Sequence, residues 1–219
     1  MHRIVVVAAV VTVCLSTGRA AEAQEPPPRI GPFVVDLHGI LPRFGSDSEL
    51  AASRGLGQLQ LPGMGLGLGV GAHVYLPRTG SVTVGVGGDF VIGRSPMPML
   101  SGKPDPASML PPPAIETFSS FGPQLSLNFG NGNGWSYLSG GIGLTTWSLV
   151  PEGAQPLAID ETRRRVINYG GGARWFVKKH LAVSFDVRLY QVNASAPQSG
   201  FPGSPQTRLL IIGAGISVR

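Results

Sequence analysis

The chain is poor in the residues that most enzyme and scaffold classes depend on. Cysteine occurs once, at Cys14, inside an N-terminal apolar segment. With that segment removed, no disulfide framework, thiolate zinc site or cysteine nucleophile is possible. Charged residues make up only 13% of the 219, about half the usual share. Arg163-Arg164-Arg165 and Lys178-Lys179 are the only basic clusters. A nucleic-acid binder would show a basic stripe on a recognisable motif, so no nucleic-acid partner is expected. Walker A, HExxH and EF-hand patterns are missing, and with them the usual phosphate, zinc and calcium chemistries. Neither a cofactor nor a metal is expected. Beyond the N-terminus there is no apolar run of the roughly 18 residues a membrane helix needs.

Glycine and proline are abundant instead, at 32 and 20 residues, and hydrophobic residues reach 42%. Glycine costs a helix interior about 1 kcal/mol each, which argues against a helical bundle. The hydrophobic content argues against general disorder. An all-β chain with many turns remains.

The N-terminus supplies the compartment. Arg3 is followed by an apolar stretch from Ile4 to Leu15 and by Ala21-Glu22-Ala23. This is the three-part pattern of a secretory signal peptide, with cleavage expected after Ala23. Residues 1–23 are then the signal. Residues 24–32, with Pro26-Pro27-Pro28, form a stiff extended lead-in, and 33–219 form the domain.

Eight strands are expected, at 33–42, 64–76, 80–93, 116–130, 134–148, 164–177, 180–192 and 207–218. Period-2 alternation carries the assignment. In the seventh, Leu181, Val183, Phe185, Val187 and Leu189 share one face, and Ala182, Ser184, Asp186, Arg188 and Tyr190 the other. In the second, Leu66, Leu68, Val70, Ala72 and Val74 oppose Gly67, Gly69, Gly71, His73 and Tyr75. The fifth leaves its facing open, because Leu138, Ile142 and Leu144 compete with Trp135, Tyr137 and Trp147.

The gaps between strands alternate long, short, long, short. The short ones are Pro77-Arg78-Thr79, Asn131-Gly132-Asn133 and Lys178-Lys179; the long ones are 43–63, 94–115, 149–163 and 193–206. Tight turns at one end and long loops at the other are the mark of an outer-membrane barrel, with apolar side chains outward and small or polar ones inward. Aromatics at strand ends extend the argument to two interfacial girdles. Phe33, Phe129, Trp135 and Trp175 would form one, and Phe118, Trp147 and Tyr190 the other. A secreted soluble β-barrel carrier, with the apolar face inward, is the competing fold.

With signal, strands and gap order in place, the chain resembles the OmpA/OmpX-like outer-membrane β-barrel family over residues 33–218. The resemblance implies an all-β, eight-stranded antiparallel up-and-down transmembrane β-barrel in a Gram-negative outer membrane. It also implies contact with outer-membrane lipid and lipopolysaccharide, and insertion by the barrel-insertion machinery. Family members usually end in an aromatic residue, whereas this chain ends in Arg219.

An eight-stranded barrel is just wide enough for its side chains to fill it. The inward set is expected to include Asp36, His38, His73, Asp89, Arg174, Asp186 and Arg188, with Gln124, Asn128 and Asn168, as a polar network of paired charges. The alternative for these groups is a narrow ion or proton path. Arg163, Arg164 and Arg165 follow a long loop and are candidates for lipopolysaccharide phosphate contact, because guanidinium suits bidentate phosphate binding. The prolines of loop 94–115 would make it stiff. His180, Ser184 and Asp186 suggest a lipid A-modifying barrel enzyme. However, His180 and Ser184 lie about 13 Å apart along one strand at roughly 3.3 Å per residue, too far for a nucleophile–base hydrogen bond. No catalytic residue is assigned. The expected role is structural or adhesive, through the long loops, with an unknown surface partner.

Overall fold

A computed structural model of the chain describes residues 29–95, 114–157, 160, 162–197 and 203–219. The signal peptide, most of the proline-rich lead-in and the proline-rich loop 94–115 lie almost wholly outside the described residues. Eight antiparallel strands pair each with the next, and the last returns to the first in a closed barrel. They are β1 Phe33–Arg43, β2 Leu66–Tyr75, β3 Val82–Arg94, β4 Ala114–Asn131, β5 Gly134–Pro151, β6 Arg164–Lys178, β7 Leu181–Val192 and β8 Thr207–Val218. Closure runs from Val35 against Val218 to Arg43 against Leu210. Closing the ladder leaves no edge strand with unpaired amides.

Two of the three tight turns show the local chemistry that builds them. In the β2–β3 turn Gly80 sits at φ 62°, a left-handed conformation that a Cβ would strain. The Arg78 Nε–H donates to the carbonyl of Gly80 at 2.8 Å. In the β4–β5 turn the Asn131 side chain accepts from the Asn133 amide at 2.9 Å, an Asx turn that mimics a backbone bond.

The faces are inverted relative to a soluble β-protein. Leu68, Val74, Leu125, Leu138, Ile142 and Val183 are each more than half exposed on the outer wall. Asp36, Gln124, Asn128, Asn168, Arg174 and Arg188 are buried inside. Soluble monomers rarely show apolar patches beyond a few hundred Å², so this wall is made for lipid, and a soluble carrier with its apolar face inward is excluded. On β5 the open choice resolves with Leu138 and Ile142 outward and Trp135, Tyr137 and Trp147 inward.

That resolution corrects the aromatic girdles. Phe33, Phe129 and Trp175 do sit exposed at the short-turn end. Trp135, Phe118, Trp147 and Tyr190 are at most 3% exposed and fill the lumen. Large rings at a barrel's mouths can seal the interior as readily as they anchor the exterior, and here the strand pleat turns these four inward.

Candidate functional site

The lumen is packed in three tiers. At mid-height lies the polar network. Arg174, on β6, reaches across to Asp36, on β1, with Nε and Nη2 donating at 2.8 and 2.6 Å. Ser217 Oγ donates to the same carboxylate at 2.5 Å. Arg188 donates to Asp186, Gln124, Asn168 and Ser139. Tyr137 donates to Asp186 at 2.8 Å, and Tyr190 to Asp89 at 2.7 Å. These bonds matter because a buried charge without a partner costs several kcal/mol. Of the ten residues expected on the inner face, all but Asn128 and Asn168 line one cavity here, among them His38 and His73. The cavity has about 50 Å³ open to water-sized molecules, room for a few waters at most, since one needs about 10–15 Å³. The glycines of β2 create it. Gly71 separates Asp36 from Asp89 across the strands, and nothing stands closer than 3.6 Å to where its Cβ would be. The ring nitrogens of His73 have no hydrogen-bond partner among the described residues.

The short-turn mouth is closed by an aromatic tier. Tyr75, Trp135 and Tyr137 pack with Val34, Ile30 and Phe176. Trp135 stacks on Phe176 with ring centres 5.1 Å apart, and meets Tyr75 edge-on at 5.7 Å. Arg174 lies 4.1 Å from the ring centre of Tyr137, joining this tier to the polar one. The Arg219 guanidinium covers Phe176 at 3.9 Å and donates to the carbonyls of Gly132 and Lys179. The Arg219 guanidinium thus caps the plug at its rim.

The long-loop mouth is closed by an apolar tier. Ile40, Phe118, Trp147, Leu149, Tyr190, Leu209 and their neighbours fill the upper barrel. The loop after β1 folds into it with a short helix, α1 Ser48–Ser53, whose Asp47 side chain caps the Leu50 amide. Leu50 and Ala51 are buried in the same cluster. Arg54, just past α1, donates to Asp160 at 2.6 Å and to Ser204 at 2.7 Å, and lies over the Trp147 ring. One side chain therefore ties together the loops that follow β1, β5 and β7. Burial pushes the Asp160 carboxyl up from its usual range, while Arg54 pulls it back.

The arginine triplet divides. Arg163 and Arg165 are exposed on the outer wall. Arg164 is 7% exposed, packs over Trp147 and donates to its carbonyl at 3.1 Å. Arg164 is thus removed from any lipid phosphate site by the strand pleat, which turns every second residue inward.

One contact escaped the sequence reading. His38 Nε2 and Ser184 Oγ are 2.7 Å apart, bridging β1 and β7 across β8. Ser184 is 1% exposed, and among the described residues no carboxylate bonds the other His38 nitrogen. Ser184 pairs with His38, while His180 lies exposed and bonds the Arg219 carbonyl oxygen at 3.0 Å.

The chain matches no family model and no curated protein. Among solved structures it resembles Neisserial surface protein A with a TM-score of 0.53 and 14% identity, covering 86% of this chain and 97% of that one. It also aligns with Ail, the attachment invasion locus protein of Yersinia pestis, with a TM-score of 0.47 and 13% identity, over 86% of this chain and 99% of that one. Closed ladder, strand count, inverted faces and the likeness to the neisserial protein give this chain the fold of the small OmpA/OmpX-like eight-stranded outer-membrane barrels.

Proposed function

We propose that this protein is a sealed barrel of a bacterial outer membrane that works through its long loops as a structural and surface-interaction element. In that orientation the short turns and the N-terminal lead-in face the periplasm, and the tied loops face outward. The observation that carries the reading is the filled lumen. A hydrophobic tier above and an aromatic tier below flank a polar tier whose free space is about 50 Å³, enough for only a few waters. A narrow pore would need a continuous open path, and buried side chains fill both ends of the lumen. The rim supports a binding role as well, because Arg54 gives three loops a shared, fixed arrangement.

Reconstituted barrels in planar bilayers test this. Silent membranes, together with a heat-dependent gel shift that reports a closed barrel, fit the proposal. Steady single-channel steps would overturn it in favour of a pore. A change in lipid A mass on expression would overturn it in favour of an enzyme.

A further inference from the structure

The outer wall is not uniform. Between Phe121–Leu144 and Gln124–Gly141 the β4–β5 ladder skips two positions. There Gly122-Pro123 opposes Ile142-Gly143. Pro123 has no N–H to give the ladder, and Gly122 and Gly143, on the lumen-facing side opposite Asp89 and Val166, carry no side chain to pack behind it. The surface is hollowed at this point. A groove of about 650 Å³ runs past Phe121, Pro123, Ile142, Leu144 and Ile167. A second hollow of about 520 Å³ shares Pro123, Ile142 and Ile167 with it and continues past Gly140 toward the short-turn end. Each is within the roughly 300–1,000 Å³ typical of ligand sites.

The upper end of this apolar groove is cationic. Arg165 lines it, beside Leu144 in register. Arg163 stands with its guanidinium carbon 5.7 Å from the centre of the Phe121 ring. Among the described residues no carboxylate pairs with either arginine. Two exposed guanidiniums with no paired carboxylate among the described residues, above an apolar channel, suit an acyl chain below and a phosphate at the interface.

We propose that this groove is a binding site for lipid A, the phosphorylated acyl glycolipid of the outer leaflet. An acyl chain lies along Pro123, Ile142 and Ile167, and a phosphate is held by Arg163 and Arg165. The inference rests on the outer-membrane orientation, which places the arginines at the outer interface. Guanidinium–phosphate bonds are charge-assisted and can be bidentate, and basic pockets at the membrane surface take anionic headgroups by the same chemistry.

The test is lipid retention by the folded full barrel in maltoside micelles, read by native mass spectrometry. The lipids are lipid A, its dephosphorylated form and phosphatidylglycerol. The wild type should retain lipid A about tenfold more tightly than the dephosphorylated form, equivalent to about 1.4 kcal/mol. The Arg163→Gln/Arg165→Gln double variant should lose that preference. Gly140→Leu fills the lower hollow, where its Cβ has room at 3.4 Å or more, and should weaken retention of both forms. Each variant must first show the wild-type heat shift. Equal retention of the two forms by the wild type, or a preference that survives the double variant, would overturn the site. Phosphatidylglycerol held as tightly as lipid A would overturn the choice of ligand. Failure of the outer-membrane reading shows separately, as protein recovered in the soluble fraction without a heat shift.

Discussion

Arg174 and Asp36 meet inside the barrel from β6 and β1, joined by two N–H···O bonds of 2.8 and 2.6 Å. Both side chains are at least 95% buried. Asp36→Ala strands the guanidinium and removes the acceptor of Ser217. The expected loss is about 3–5 kcal/mol, the usual result of breaking a buried pair. Asp36→Leu/Arg174→Met removes both charges and should recover most of it, since apolar replacement of a buried pair is often neutral. Urea midpoints of the heat-shift band measure both. A double variant as weak as the single would show that the pair itself, rather than the orphaned charge, sets the stability.

Leu50 is fully buried where α1 enters the long-loop mouth. Leu50→Ala should cost the cap about 2–5 kcal/mol, the range for core truncations. The barrel ladder does not depend on that contact, so the heat shift should persist. The readout is trypsin cleavage after Arg54, whose guanidinium is held by Asp160 and Ser204 in the wild type. Faster cutting with an intact barrel is the expected result. Unchanged cutting would mean that the three-loop tie alone holds the segment.

Two lumen glycines make a matched pair. At Gly71 an added methyl would stand 3.6 Å from the Asp36 carboxylate, an ordinary contact. Gly71→Ala should be neutral or stabilising by about 0.4–1 kcal/mol through the unfolded chain. At Gly215 the methyl would collide with the Leu37 carbonyl oxygen, backbone that cannot step aside. Gly215→Ala should lower refolding yield and the urea midpoint. Equal behaviour of the two variants would contradict the cavity assigned to β2.

Serine at position 184 is held by His38, so the pair offers a check on reactivity. Ser184→Ala should leave the lipid A mass profile of expressing cells the same as with wild type, and a phosphonate probe should not label Ser184. Labelling would reopen catalysis.

Strands and facing were legible because a lipid-facing wall demands strict period-2 alternation. The alternating gap lengths added the up-and-down order. What escaped has physical reasons. Trp135 and Trp147 fit either face of β5 by pattern, and only the pleat relative to Gly140 and Gly141 fixes them inward. The same alternation carried one residue past the loop separates Arg164 from Arg163 and Arg165, a signal present in the sequence but masked by reading the triplet as one patch. His38 and Ser184 come from strands far apart in the chain, so their meeting depends on the barrel's closing register. The loop tie through Arg54 has no periodicity at all.

Arg54 gives that tie an evolutionary meaning. Loops that connect strands tolerate more sequence variation than the strands themselves, and each would ordinarily drift by itself. Here a change at Asp160 or Ser204 strands a guanidinium rooted in a different loop. The three segments are therefore expected to change in concert, and an antibody raised against one would read the state of the other two.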